Sequence, residues 1–140
     1  MDKKEVLFVC QGNVGRSQMA EAYYNTLIHP HKAISAGIDD VALKYDGHPT
    51  KEIVDIMLEE GIDISNQRIK QIRPSMTLEA SKVVVLCSRE LCPPFLLEHD
   101  EVTFIKVEDP YQLAEGRVRI IRNCIKEIVL TLGEQERVNQ

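Results

Sequence analysis

Four short apolar runs, rich in β-branched residues and separated by stretches patterned as helices, constrain this chain more than any other feature. They are "VLFV" (Val6 to Val9), "AISAGI" (a strand ending at Gly37), "KVVVLC" (ending at Cys87) and "TFIKV" (Thr103 to Val107). Each is strand-length and bounded by turn residues. Ser17 is placed to cap a helix running to about Ile28, with Met19, Ala20, Tyr23, Tyr24 and Leu27 at helical spacing. "PTKEIVDIMLEEG" predicts a helix that begins after Pro49 and ends at Gly61. In "GIDISNQRIKQI", Ser65 caps a short helix, and "LAEGRVRIIRNCIKEIVLTLG" is a long amphipathic helix that stops near Gly133. Buried strands alternating with helices predict an α/β chain whose parallel sheet is covered on both faces. With right-handed crossovers, that is a three-layer, flavodoxin-like domain with a four-stranded parallel sheet, a single domain over residues 1–140. Ligands of such sheets gather at the carboxyl ends of the strands. Cys10, Gly37, Cys87 and Asp109 all fall there.

A net charge of -5 argues against a general nucleic-acid binder, which needs basic surface to displace counterions from phosphate. The apolar run after "MDKKE" is too short for a signal peptide or a membrane span, so the expected location is cytoplasmic. In that reducing setting the four cysteines, Cys10, Cys87, Cys92 and Cys124, are expected to be thiols. Neither "CSRELC" nor "HPH" has the second half that a zinc site requires, so no metal is predicted. Cys124, beside Ile120, Ile121, Ile125 and Ile128, reads as core packing, and the four histidines carry no assigned role.

The segment "VCQGNVGRS" carries the chemistry. Gly12 and Gly15 admit backbone conformations closed to other residues, and Asn13 tolerates a left-handed turn. Gln11, Gly12, Asn13, Val14, Gly15, Arg16 and Ser17 can therefore wrap into an oxyanion-binding loop whose N–H groups, with the following helix N-terminus, face an anion. Arg16 adds a planar guanidinium that grips two oxygens of a tetrahedral oxyanion. Cys10, beneath the anion, supplies the nucleophilic thiolate. Asp109 before Pro110 alone reads as a turn residue capping the last helix; beside such a loop it reads as a general acid.

"VCQGNVGRS" resembles the phosphate-binding loop of the low-molecular-weight protein tyrosine phosphatase superfamily, and "SAG", "GIDIS" and "EDP" extend the likeness along nearly the whole chain. The resemblance implies Cys10 as nucleophile, Arg16 as oxyanion binder, Asn13 and Ser17 as supports of the loop and thiolate, and Asp109 as general acid. The superfamily holds two chemistries. Phosphatases hydrolyse phosphotyrosine through a phosphocysteine; arsenate reductases form a cysteine-arsenate adduct and release arsenite through a relay of disulfides that thioredoxin or another thiol reductant renews. "RSQMAE", where phosphatases commonly have "RSPMAE", and "LCSRELCPP" are closest to the reductase branch and imply Cys87 and Cys92 as the redox pair. "DPY" with Tyr111 resembles the phosphatases, in which an aromatic residue lines the substrate slot of a phosphotyrosine protein. The expected activity is arsenate reduction, with phosphotyrosine or aryl phosphate hydrolysis as the alternative. Gly15 departs from both branches, which have a second loop cysteine there; Cys87 is the candidate partner for a protective disulfide on Cys10. No tightly bound cofactor is expected, and Ser35, Asp63 and Ser65 resemble positions that lie near potassium, with the loop asparagine, in some reductases.

Overall fold

The computed structural model describes residues 3–138. Lys4–Cys10 (β1), Ala33–Gly37 (β2), Ala80–Val85 (β3) and Val102–Phe104 (β4) form one parallel sheet in the order β2-β1-β3-β4. This is the expected α/β architecture. The strand order turns back at β1, with β2 on one side and β3 on the other, and such a switch opens a crevice at the carboxyl ends. Cys10 is the last residue of β1 and stands at that crevice.

Among the described residues five α-helices cover the sheet: Arg16–Leu27 (α1), Lys51–Leu58 (α2), Pro74–Leu78 (α3), Pro94–Leu97 (α4) and Glu115–Val138 (α5). Strand side chains alternate between faces, and this alternation divides the core in two. Val6, Phe8, Cys10, Val84 and Leu86 pack with Met19, Tyr23, Ile56 and Ile125 of α1, α2 and α5. Leu7, Val9, Val83, Val85 and Cys87 pack with Met76 of α3 and Leu96 of α4. Cys10 and Cys87 therefore leave the sheet on opposite faces. Along α5 the stripe Val118, Ile121, Ile125, Val129 and Leu132 is buried at helical spacing. Each such side chain contributes about 1.5–3 kcal/mol of burial, which holds this long helix on the domain.

Several expectations give way. Cys124 is exposed, because it belongs with exposed Ile120 one turn back rather than with the Ile121 and Ile125 stripe. Gly133 does not stop α5, which continues to Val138. A Cβ at Gly133 would overlap Ile28 Cδ1, so glycine there permits close approach of two elements. Ser65 caps no helix: Asp63 Oδ1 accepts its N–H, and the following segment runs beside β2, with Lys70 O accepting the Gly37 N–H and Gly37 O the Ile72 N–H. Its backbone groups are committed to tertiary partners, and the short helix forms later, at Pro74. Ser17 is not the cap of α1, which follows Gly15 and has no side-chain cap bond. By contrast, Gly61 terminates α2 as expected: at φ +76° it returns its N–H to Leu58 O, while Ile62 N–H reaches Met57 O.

Candidate active site

Between β1 and α1 only Asn13 adopts a left-handed conformation, at φ 59°. Gly12 and Gly15 do not; their value is space. A Cβ at Gly12 would come 3.3 Å from Val41 Cγ2, and one at Gly15 would meet Ile53 and Pro110 at 3.3 Å. The tighter requirement lies outside the loop, at Gly37, where a Cβ would lie 2.6 Å from the Gly12 carbonyl carbon and 2.7 Å from the Asn13 nitrogen. The end of β2 is thus a bare backbone surface on which the loop rests.

Asn13 organises the interior of the loop. Its backbone N–H points at Cys10 Sγ (3.2 Å), and its side-chain amide donates to Ser17 Oγ (2.7 Å) and Ser35 Oγ (2.9 Å). Its Oδ1 accepts from Gln18 Nε2 and from the backbone N–H of Lys70, both at 2.9 Å. The Lys70 N–H can only donate, so the amide orientation follows from its partners. Ser17 Oγ already accepts from Asn13, leaving its proton for Cys10 Sγ at 2.9 Å. Two donors converge on the sulfur, an arrangement that stabilises negative charge there. Fully buried Gln18 locks the outer side, donating to Arg68 O and accepting from Gln67 Nε2.

Arg16 is buried, and Nη1 donates to the carbonyls of Val107 (3.0 Å) and Leu86 (3.4 Å) beyond the ends of β4 and β3. Nη2 lies 3.8 Å from Asp109 Oδ2, whose side chain is 58% exposed. Asp109 does not cap α5; its Oδ1 accepts the Tyr111 N–H two residues on. Cys10, Arg16, Asp109 and Tyr111 line one cleft of 730 Å³, with Tyr45 and Ile53 among its other walls. Lys44 Nζ lies 5.4 Å from the Tyr45 ring centre and 5.9 Å from that of Tyr111, tying the two aromatic walls together. Unpaired amides of a helix's first turn, a guanidinium and a sulfur in one cleft can hold a tetrahedral oxyanion for attack.

The model of the low molecular weight phosphotyrosine protein phosphatase family matches residues 5–139. The chain belongs to this family. Arsenate reductase 2 of Staphylococcus haemolyticus is 36% identical over 88 residues, 63% of this chain and 63% of that protein. The probable low molecular weight protein-tyrosine-phosphatase EpsP of Ralstonia solanacearum is 36% identical over 84 residues, 59% of this chain and 55% of that protein. The chain thus spans less than two thirds of the length of these curated relatives. A solved arsenate reductase in the phosphate binding state superposes with a TM-score of 0.80 at 30% identity, covering 94% of this chain and 98% of that one. Proteins named as phosphatases and as arsenate reductases are thus both similar to this chain. Among the described residues no helix is long and apolar enough to cross a membrane.

Cys87 and Cys92 are not among the residues lining the cleft. Both belong to the opposite layer, Cys87 buried and Cys92 half-buried against the same cluster, and all four cysteines are free thiols. Burial first, then the neighbouring Cys92 and Cys10, push the Cys87 thiol up to about 12, against a smaller opposing effect of Arg16. Burial also raises Cys92. A potassium ion does not fit the residues suggested for it: Asn13 Oδ1 is taken by two N–H donors, and exposed Asp63 spends Oδ1 on the Ser65 N–H. Ser35 donates to Glu21 Oε1 (2.8 Å), and the cation beside that carboxylate is Lys70, at 3.6 Å. Sequence reading missed Lys70, Glu21, Gln67 and Tyr45 as parts of the site. Nothing local marks them, since each reaches it only through the fold; Gln18 alone drew notice, as a branch marker.

Proposed function

We propose that the chain hydrolyses aryl phosphomonoesters, phosphotyrosine in proteins among them, through a phosphocysteine. The observation that carries this reading is the sharing of one cleft by Cys10, Arg16, Asp109, Tyr45 and Tyr111, from whose lining Cys87 and Cys92 are missing. A cleft of 730 Å³ with two aromatic walls holds far more than a bare oxyanion, and suits an aryl group attached to it. Arg16 and the loop amides bind the phosphoryl oxygens, and Cys10 Sγ attacks phosphorus. The bond from phosphorus to the aryl oxygen breaks as Asp109 gives that oxygen a proton. Water then attacks the phosphocysteine, Asp109 takes a proton from it, and phosphate leaves with the Cys10 thiolate restored.

Arsenate reduction is the second reading, supported by the placement of Cys87 and Cys92 in one cluster and by the 30% identical reductase structure. Cys10 displaces water from arsenate; Cys87 attacks Cys10 Sγ, and the electron pair of the sulfur-arsenic bond reduces arsenic(V) to arsenite. Cys92 next attacks Cys87, and a dithiol reductant such as thioredoxin supplies the two electrons that reopen the Cys87-Cys92 disulfide. Burial holds the Cys87 thiol up to about 12, which disfavours its thiolate, and Cys87 belongs to the core layer opposite that of Cys10. The relay requires Cys87 to turn out of its own core layer toward Cys10.

The deciding experiment adds arsenate to the reduced protein without oxygen and maps disulfides by peptide mass, alongside hydrolysis of p-nitrophenyl phosphate by wild type and Cys87→Ser. Retained hydrolysis in the variant, with all wild-type thiols free after arsenate, is the expected result. A Cys87-Cys92 disulfide that forms only with arsenate and Cys10 would replace this reading with the reductase.

A further inference from the structure

We propose that Lys70 is a built-in cation for the oxyanion loop: its ammonium pairs with the Glu21 carboxylate, and the pair anchors the hydrogen-bond chain ending on Cys10, in the place an alkali-metal ion could otherwise fill. The inference rests on the oxyanion-site reading, but not on which of the two reactions follows.

Lys70 touches this chain of contacts twice. Its backbone N–H donates to Asn13 Oδ1 at 2.9 Å, and its Nζ lies 3.6 Å from Glu21 Oε1 while donating to Arg68 O at 2.8 Å. Both side chains are withdrawn from solvent, Lys70 to 25% exposure and Glu21 to 14%, where an unpaired charge is costly. Glu21, as a carboxylate, can only accept, so the Ser35 hydroxyl must donate to it. Ser35 Oγ is thereby left to accept from Asn13 Nδ2, and that amide also donates to Ser17, whose proton remains for Cys10 Sγ. Without the ammonium, the Glu21 carboxylate would lack its cation, a place that K⁺ from solvent can fill. Lys70 touches neither the cleft nor the sulfur, so it is a positioning residue.

Calorimetric titration with inorganic phosphate tests this in KCl, NaCl and choline chloride at equal ionic strength, for wild type, Lys70→Met and Lys70→Arg. Wild type is expected to bind with the same affinity, within twofold, in all three salts. Lys70→Met is expected to bind about tenfold more weakly in choline chloride and to recover at least threefold in KCl, whereas Lys70→Arg stays within threefold of wild type throughout. Tighter binding by wild type in KCl than in choline would overturn the proposal. So would wild-type affinity in Lys70→Met, or a Lys70→Met deficit that no cation relieves, which would reduce Lys70 to packing. If Lys70→Met does not fold, wild type in the three salts and Lys70→Arg still decide. Binding is read without turnover, so failure of the hydrolase reading leaves this result standing.

Discussion

Gly37→Ala isolates the contribution of loop position, because residue 37 touches the loop backbone but lies outside the cleft lining. The new Cβ would stand 2.6 Å from Gly12 C, 2.7 Å from Asn13 N and 2.9 Å from Gly12 O, where ordinary contact begins at 3.4 Å. All three are backbone atoms, so no rotamer change relieves the overlap. The loop must move by about 0.5–0.8 Å, the shortfall from ordinary contact. A misplacement of about 1 Å in a catalytic constellation costs on the order of 10²-fold, so kcat/KM for p-nitrophenyl phosphate should fall about 10- to 10²-fold, with weaker phosphate binding. Overpacking of this kind costs about 1–3 kcal/mol, or a Tm lower by about 3–10 °C. Gly61→Ala is the control: its Cβ meets nothing within 4 Å, but the backbone is held at φ +76°. That variant should lose about 1 kcal/mol of stability and no activity. Wild-type kcat/KM in Gly37→Ala, or an equal activity loss in Gly61→Ala, would refute the claim that backbone contact with β2 positions the cradle.

Asp109→Asn should lower kcat about 10²-fold for phenyl phosphate and much less for p-nitrophenyl phosphate, whose leaving group needs little protonation; an equal loss for both would remove Asp109 as proton donor. Hydrogen bonds from Arg119 and Arg122 hold the Glu59 carboxyl down to about 2. Its stabilisation is therefore complete above the unfolded value of 4.5 and lost as pH falls through about 2. The Tm difference between wild type and Glu59→Gln should be constant above pH 5 and gone near pH 2; a difference that persists in acid would contradict it. In native protein at pH 8, iodoacetamide should modify exposed Cys124 well before buried Cys87. Comparable rates, followed by peptide mass, would mean that the layer around Cys87 opens readily and would strengthen the relay.

The sheet was legible because its strands are short apolar runs with turns at their ends, and α2 was legible through Gly61. The centre of the site was legible for a related reason: Cys10 and Arg16 bound one loop between a strand and a helix, and local geometry brings them together. Two failures share one cause, since helical spacing shows which residues align but not which stripe the neighbours cover. Cys124 and Gly133 were misread on those grounds. Ser65 was misread because backbone commitments to Gly37 and Asn13 outweighed a local capping signal.

What the amino-acid order determined by itself was therefore the strand-loop-helix unit and the side chains it gathers, because those contacts lie within a few residues. Tertiary structure decided the rest. Val9 pairs with Val85 in the β1-β3 register, which aligns Cys10 with Leu86 and turns Cys87 to the other face. A shift of one residue would have put Cys87 on the same side as Cys10. Lys70 reaches Asn13 across 57 positions, a distance over which no local pattern acts. Only packing of the whole domain sets such registers and long-range pairs, because their free energy comes from surfaces that do not exist until the fold is complete.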